Sequence, residues 1–284
     1  MTNIDQFESV FKAAERPLFE LEAVDIETIL VVTDLDPPAT ERFAAGVQTF
    51  LKGLERETTQ WKTVDGNEYD TVGELLQKVG ESRCDLVCLY RNLRMPAREY
   101  PYSLGVHVDV LTQASSLPVL LMPHPAHLET MPQLQPARHV MAITDHLTGD
   151  HHLVSFAAHC TPDDGKLLLT HVEDQVAFDR YLDVIGKVPS IDTEDAREAI
   201  LSRLLKEPAD YIDSATEVLR ESRPGLQVEK VVTLGHHLTD HRRLIEDHAV
   251  DLLVLNTKDA DQLAMHGLAY PLTVELRMTP MLLL

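Results

Sequence analysis

Short apolar runs, uninterrupted by polar positions, recur along the chain at Thr28-Ile-Leu-Val-Val-Thr-Asp34, Asp85-Leu-Val-Cys-Leu89 and Leu117-Pro-Val-Leu-Leu121. They recur again at His139-Val-Met-Ala-Ile-Thr-Asp145, Asp251-Leu-Leu-Val-Leu255 and Thr279-Pro-Met-Leu-Leu283. Runs of this length without period-two alternation belong to strands covered on both faces, as in a parallel sheet. The pattern predicts strands at 28–33, 60–64, 85–90 and 118–122, then at 139–144, 166–172, 227–233, 251–255 and 280–284. Helical spacing lies between them, for example over Thr239 to His248, with Leu244, Ile245 and Ala249 on one face. Two further helices are predicted near Thr193 to Lys206, capped by Asp192 or Thr193, and Pro208 to Glu221, with Pro208 in the first turn. Strands alternating with helices define an α/β fold whose parallel sheet carries helices on both faces.

The two series are copies of one another. Thr28–Asp34 matches His139–Asp145, Gly66 with Glu74-Leu-Leu76 matches Gly235 with Arg243-Leu-Ile245, and the later runs match in the same order. The offsets of 111, 169, 166 and 162 place one major insertion of 55 residues between Asp145 and Asp251. The first copy is therefore truncated, without room for a second strand and its helices. The expected division is a helical segment at 1–24, a first copy at 25–123, a linker at 124–137 and a second copy at 138–284. Proline density between Pro123 and Pro136 suits an extended connection. Ile4, Phe7, Val10, Phe11 and Ala14 are spaced for a helix over Ile4 to Val24, expected to cover a sheet face left bare in the first copy. Both final runs are uncharged, and an open edge of that kind invites aggregation, so the two are expected to pair across a pseudo-twofold axis.

Charge narrows the partners. The 284 residues hold 25 basic and 46 acidic side chains, a formal net charge of -21, and both halves are acidic. Sequence-independent binding to nucleic acid or to an anionic membrane is excluded on that ground. No apolar run approaches the roughly 20 residues of a membrane span, and the start lacks a basic leader, so a cytoplasmic location is expected. Cys84, Cys88 and Cys160 form no CxxC pair and read as buried thiols.

The strand ending in Thr-Asp, the glycine turn before an amphipathic helix, the Asp-Leu-Leu-Val-Leu strand and the final x-Pro-Val-Leu-Leu strand occur twice and in order, and so the chain resembles a tandem universal stress protein over residues 28–123 and 139–284. The resemblance implies a five-stranded parallel sheet in each copy and stress-linked regulatory or protective roles. It also implies that some members bind ATP through an Asp after the first strand and a Gly-x2-Gly-x9-Gly-(Ser/Thr) loop after the fourth. Candidate ligand contacts carried over from that pattern are Asp34, Asp145, Gly235, Asn256 and Gly267. The loops depart from it, with Asn92, Met95 and Val106 at the first copy's glycine and Ser/Thr positions. In the second copy Asn256 and Asp259 replace the loop glycines, and Leu268 follows Gly267. Phosphates need inward-facing backbone N–H groups and no competing charge, which Asp259 and Asp261 add. The expectation is therefore a non-enzymatic protein with no cofactor. The alternative is an ATP or AMP sensor, or a weak nucleotide hydrolase, using the second copy near Asp145, Gly235 and Asn256.

Other constellations add little. His237 and His241 stand four apart at a helix start, but without a third ligand the expectation is a capped helix with Thr239 or Asp240 at the N-cap and solvated histidines, and no metal. Neither a Gly-x-Ser-x-Gly elbow nor an HExxH motif occurs. Asp34 and Asp145 read as vestigial ligand contacts or helix caps, and Trp61 as packing. The partners expected are the two copies for each other, a homodimer as an extension of that pairing, and a protein partner whose identity the sequence leaves open.

Overall fold

The computed structural model describes residues 18–127, 134–143, 149–188, 192–257 and 268–284. The first elements among the described residues are strand β1 (Thr28–Val32), helix α1 (Pro37–Phe50), β2 (Gln60–Val64), α2 (Val72–Ser82), β3 (Leu86–Tyr90), α3 (Val106–Ala114) and β4 (Val119–Met122). It continues with β5 (His139–Ile143), α4 (His151–Cys160), β6 (Lys166–Asp174), α5 (Gln175–Ile185) and α6 (Thr193–Ser222). Last come β7 (Gln227–Gly235), α7 (His237–Asp247), β8 (Leu252–Leu255), α8 (Ala269–Glu275) and β9 (Met281–Leu283).

The strands form one sheet in the order β2-β1-β3-β4-β9-β8-β5-β6-β7. Every residue of β1, β3, β4, β8 and β9 is buried, which is why their sequences are unbroken apolar runs. The edge strand β2 alternates instead, exposing Gln60 and Lys62. Neighbouring strands run parallel except at one seam, where β4 and β9 pair antiparallel through Val119 with Leu283, Leu120 with Leu282 and Leu121 with Met281. The two final strands thus pair with each other as expected, and the two parallel sheets become one. Reversal at the seam sends the ligand-facing ends of β1–β4 to one end of the molecule and those of β5, β6, β7 and β8 to the other.

The repeated aspartate before each inner strand has a structural task. Asp85 Oδ2 accepts the N–H groups of Glu27 and Thr28 at 2.9 and 2.8 Å, and Asp251 Oδ2 accepts those of Arg138 and His139 at 2.9 Å each. Each carboxylate satisfies the first backbone donors of the adjoining strand, β1 or β5, which have no ladder partner there.

Right-handed crossovers place α1, α4 and α6 on one face and α2, α3, α7 and α8 on the other. On the first face the halves meet closely: a Cβ on Gly53, just after α1, would lie 2.6 Å from the carbonyl oxygen of Cys160 at the end of α4. Only a residue without a side chain allows that approach.

Three expectations are corrected. The helices predicted on either side of Glu207 are one 30-residue helix, α6, with Pro208 inside it. The anchoring face of its second half, Tyr211, Ile212, Ala215 and Leu219, is buried and holds the helix together through the missing donor, while Asp192 caps its start as expected. The helix predicted over Ile4 to Val24 is absent from residues 18–24, and its earlier part lies outside the described residues. The expected cover of the first copy rests on Ile4 to Ala14, which lie outside the described residues, and the extended stretch that follows them docks on the second half. Its N–H groups at Phe19, Glu20 and Glu22 donate to Ser214 Oγ, His151 Nδ1 and Ser155 Oγ at 3.0, 3.2 and 2.9 Å, so it lies across α6 and α4 of the second half. Side chains of those helices hold its backbone extended, and Phe19 packs edge-on to Tyr211 at 6.1 Å. Finally, α7 starts two residues earlier than expected, with His236 at the N-cap and no side-chain cap bond. Asp240 instead reaches back to accept the His236 N–H at 2.7 Å.

Candidate functional site

In an open α/β sheet the ligand crevice lies beyond the carboxyl ends of the strands, where the strand order reverses. In the first half that point falls between β1 and β3. Asp34 follows β1 there, and Tyr90 is the last residue of β3. The Tyr90 hydroxyl donates to Asp34 Oδ1 and accepts the Asp34 N–H at 3.2 Å. The Arg94 N–H donates to Asp34 Oδ2 at 2.7 Å. Both carboxylate oxygens are therefore occupied from within the chain, and the cap of α1 is Asp36, which accepts the Ala39 N–H at 2.8 Å.

The Arg94 side chain closes the crevice further. Its guanidinium donates to the carbonyls of Gly66 and Tyr69, pairs with Asp70 at 3.2 Å and lies 4.8 Å over the Tyr69 ring. Tyr69 in turn donates to the Thr33 carbonyl at 3.1 Å. Burial, reinforced by the Asp34 charge, pushes both Tyr90 and Tyr69 well above the usual phenol range, so both act as neutral donors. His107, T-shaped against Tyr69 at 5.8 Å, is held toward its neutral form by burial. The Tyr90 ring is also in edge contact with Phe43 at 5.2 Å.

The loop that follows β3 is held by its own residues. Asn92 takes a left-handed φ of 59°, a conformation the glycine at this position of the motif would supply. Its backbone N–H bonds Leu104 O at 2.7 Å, and its side-chain amide donates to the carbonyls of Tyr100 and Ser103 at 3.3 and 3.1 Å. Gly105 has φ of 91°, and a Cβ there would lie 2.8 Å from Asn92 Cα. The loop backbone is thus pinned through Asn92, whose donors are turned to loop carbonyls rather than outward. Tyr90 and Arg94 were not singled out from sequence. The available signal was a tyrosine closing an otherwise aliphatic run, with a cation four residues later.

In the second half the corresponding point lies between β5 and β8. Asn256 Nδ2 donates to Asp150 Oδ2 at 2.5 Å, and Asp150 caps α4 by accepting the Leu153 N–H at 3.0 Å. Burial raises the Asp150 carboxyl above its ordinary value. Asp145, Gly267, Asp259 and Asp261 lie outside the described residues. Gly235 is not gathered with Asn256: it ends β7, at the sheet edge and two strands from β5, where a Cβ would collide with the Asp240 carboxylate. Strands β5 and β6 lie between them.

Of the two α7 histidines expected to be solvated, His237 is partly exposed and His241 is not. His241 is fully buried, and its ring stacks parallel on that of His237 at 6.1 Å. Stacked rings do not converge on a common point, and among the described residues no group of three His, Cys, Asp or Glu is placed to hold a metal ion. Among them, too, no helix is long and apolar enough to cross a membrane.

Fold and crevice together define a tandem, doubly wound α/β protein of two unequal halves joined edge to edge, with the first half's crevice occupied by its own side chains. No protein-family model matches the chain, and no curated protein is significantly similar to it. Among solved structures it is similar to a universal stress protein from Archaeoglobus fulgidus DSM 4304, at 12% identity over 90% of this chain and 95% of that one, with a TM-score of 0.49. It is also similar to a functionally unknown protein, PA1789, from Pseudomonas aeruginosa PAO1, at 14% identity over 91% and 92% of the two chains, TM-score 0.48. The hypothetical protein MJ0577 is similar over 52% of this chain and 96% of its own, at 14% identity and a TM-score of 0.39.

Proposed function

We propose that this is a non-enzymatic, cytoplasmic protein of the universal stress type, with a regulatory or protective part in stress response, that does not hold ATP in the usual way. One observation carries the reading: both Asp34 carboxylate oxygens are taken by Tyr90 and Arg94 inside the crevice where a nucleotide would sit. Opening that site would leave a phenol and a carboxylate without partners in a buried setting, at a cost of about 1–3 kcal/mol for each lost partner. Nucleotide binding would have to offset that first. In the second half Asn256 is likewise committed to Asp150. The two halves, joined through β4 and β9, act as each other's partner, leaving the outer surfaces for a regulatory contact.

The test is thermal unfolding with millimolar ATP against matched salt. A ligand at a hundredfold excess over its dissociation constant would stabilise the native state by about 2.7 kcal/mol. We expect no shift, and no adenine released when the purified protein is denatured. A rise of several degrees with ATP alone would instead favour a nucleotide sensor or weak hydrolase working through the second half.

A further inference from the structure

Helix α7 packs on β6, one strand in from the edge of the sheet. Three of its residues are buried, His241, Leu244 and Ile245, and the deepest of them is the histidine. An imidazole thus takes the place where an aliphatic anchor would hold the helix down. The joints at its ends are weak. His236 occupies the N-cap without a side-chain bond, and Ala249, two residues past the last turn, is held at a left-handed φ of 48°. That conformation is costly for a residue with a Cβ, and movement of the helix would relieve it.

Around the buried ring the charges are arranged against protonation. His237 stacks on it from the same helix, and His171 faces it from β6. Each becomes a like charge when it takes up a proton. The carboxylates nearby are committed to other groups: Glu173 to His171 at 3.2 Å, Asp174 to His237 at 3.6 Å, and Asp240 to the His236 N–H at 2.7 Å and to Arg243 at 2.8 Å. Farther along, Glu229 of β7 pairs with Lys166 and His248, and Glu275 of α8 with Arg242. Burial, with His237 adding to it, accordingly lowers the His241 pKa from 6.5 to about 4. A charged His241 has no counterion in the closed position, and once α7 lifts it has water.

We propose that α7 is an acid-released latch: protonation of His241 lifts the helix about joints at His236 and Ala249 and uncovers the apolar face of β6, leaving the rest of the sheet folded. The face exposed carries Leu167 and Leu169, which share a side of the strand with His171, and the helix brings out Leu244 and Ile245. In the open position the ring regains its ordinary basicity, so going from pH 7 to pH 5 multiplies the open population about twentyfold. The latch is separate from the crevice at Asp34 and does not depend on how that crevice behaves.

The experiment is backbone hydrogen exchange of the full chain at pH 7 and pH 5, with His241→Leu and His241→Gln beside the wild type. Neither replacement titrates, and because one is apolar and the other polar, together they separate charge from polarity. Comparing the proteins at the same pH cancels the intrinsic dependence of exchange on acid. We expect residues 237–247 to be less protected than β3 in the wild type, since they open without it. Between pH 7 and pH 5 their protection in the wild type should fall about twentyfold relative to both variants. Protection of α7 equal to that of β3 would mean that the helix opens only with the whole chain, and would overturn the proposal. So would a fall in either variant equal to that in the wild type.

Discussion

Acid should weaken this protein through one imidazole before it acts through most others. His241 sits on the buried side of α7 with both ring nitrogens lacking a hydrogen-bond partner. The groups facing it are His237 and Asp240 from its own helix and His171 from β6. Close by, Asp174 pairs with His237 at 3.6 Å and Glu173 with His171 at 3.2 Å. Burial, with the neighbouring His237 adding to it, lowers the His241 pKa from 6.5 to about 4. Because the folded value lies below the unfolded one, the unfolded chain takes up the proton first as pH falls. The contribution is whole above pH 6.5, shrinks through the window from 6.5 to about 4, and is gone below it. At about 1.36 kcal/mol per unit, the loss totals about 3 kcal/mol, of which about 2 kcal/mol is already missing at pH 5.

The perturbation is His241→Leu, which removes two unsatisfied polar atoms and should leave stability at pH 7 equal or slightly higher. Urea unfolding at pH 7 and pH 5 measures the rest. With a denaturant slope of about 3 kcal/mol/M, the wild type should lose ~0.7 M more of its midpoint between the two pH values than the variant does. Carboxylates titrate alike in both proteins and cancel in the difference. Identical pH slopes for the two would refute the reasoning, since they would mean that His241 is protonated in the native state without penalty.

Leu282 is fully buried in β9 between Leu120 and Val254, so Leu282→Ala should cost about 2–5 kcal/mol and Leu282→Lys should prevent folding of the whole chain. A first half that still unfolds at its original midpoint would show that the seam does not couple the halves. Gly105→Ala forces a Cβ onto Asn92 at a strained φ, and differential scanning calorimetry should record a loss of about 1–3 kcal/mol, whereas a neutral result would place the loop elsewhere. Phe19→Ala, in the stretch laid across α4 and α6, should lower stability by about 3 kcal/mol, and an unchanged melting temperature would argue that this segment is not docked.

The strands were legible because burial on both faces leaves a local mark: the runs at Thr28, Asp85 and Leu117 and their second copies fall within a residue or two of β1, β3, β4, β5, β8 and β9. The seam was legible for a related reason, since two uncharged edges in one chain require a partner. What failed depended on distant contacts. Pro208 reads locally as a helix start, and only the buried face of Tyr211 and Leu219 keeps α6 continuous through it. His241 reads as a solvated helix residue because the depth of α7 against β6 is a tertiary fact. The occupied crevice was half visible: the missing glycines at Asn92 and Met95 were in the motif, but that Tyr90 and Arg94 fill the space is set by the folding of a loop onto Asp34, 60 residues earlier.

The β4–β9 pairing has a consequence for biosynthesis. Leu120 is made 162 residues before its partner Leu282, and at about 5–20 residues per second a ribosome takes roughly 10–30 s to cover that interval. A first half that folds as it emerges therefore presents Val119–Met122, four apolar residues with one ladder face unpaired, for the whole of that time. The nascent chain should be most prone to self-association in this window, and slower translation of the second half, by lengthening the delay, should reduce the yield of native protein even though the finished molecule buries that strand completely.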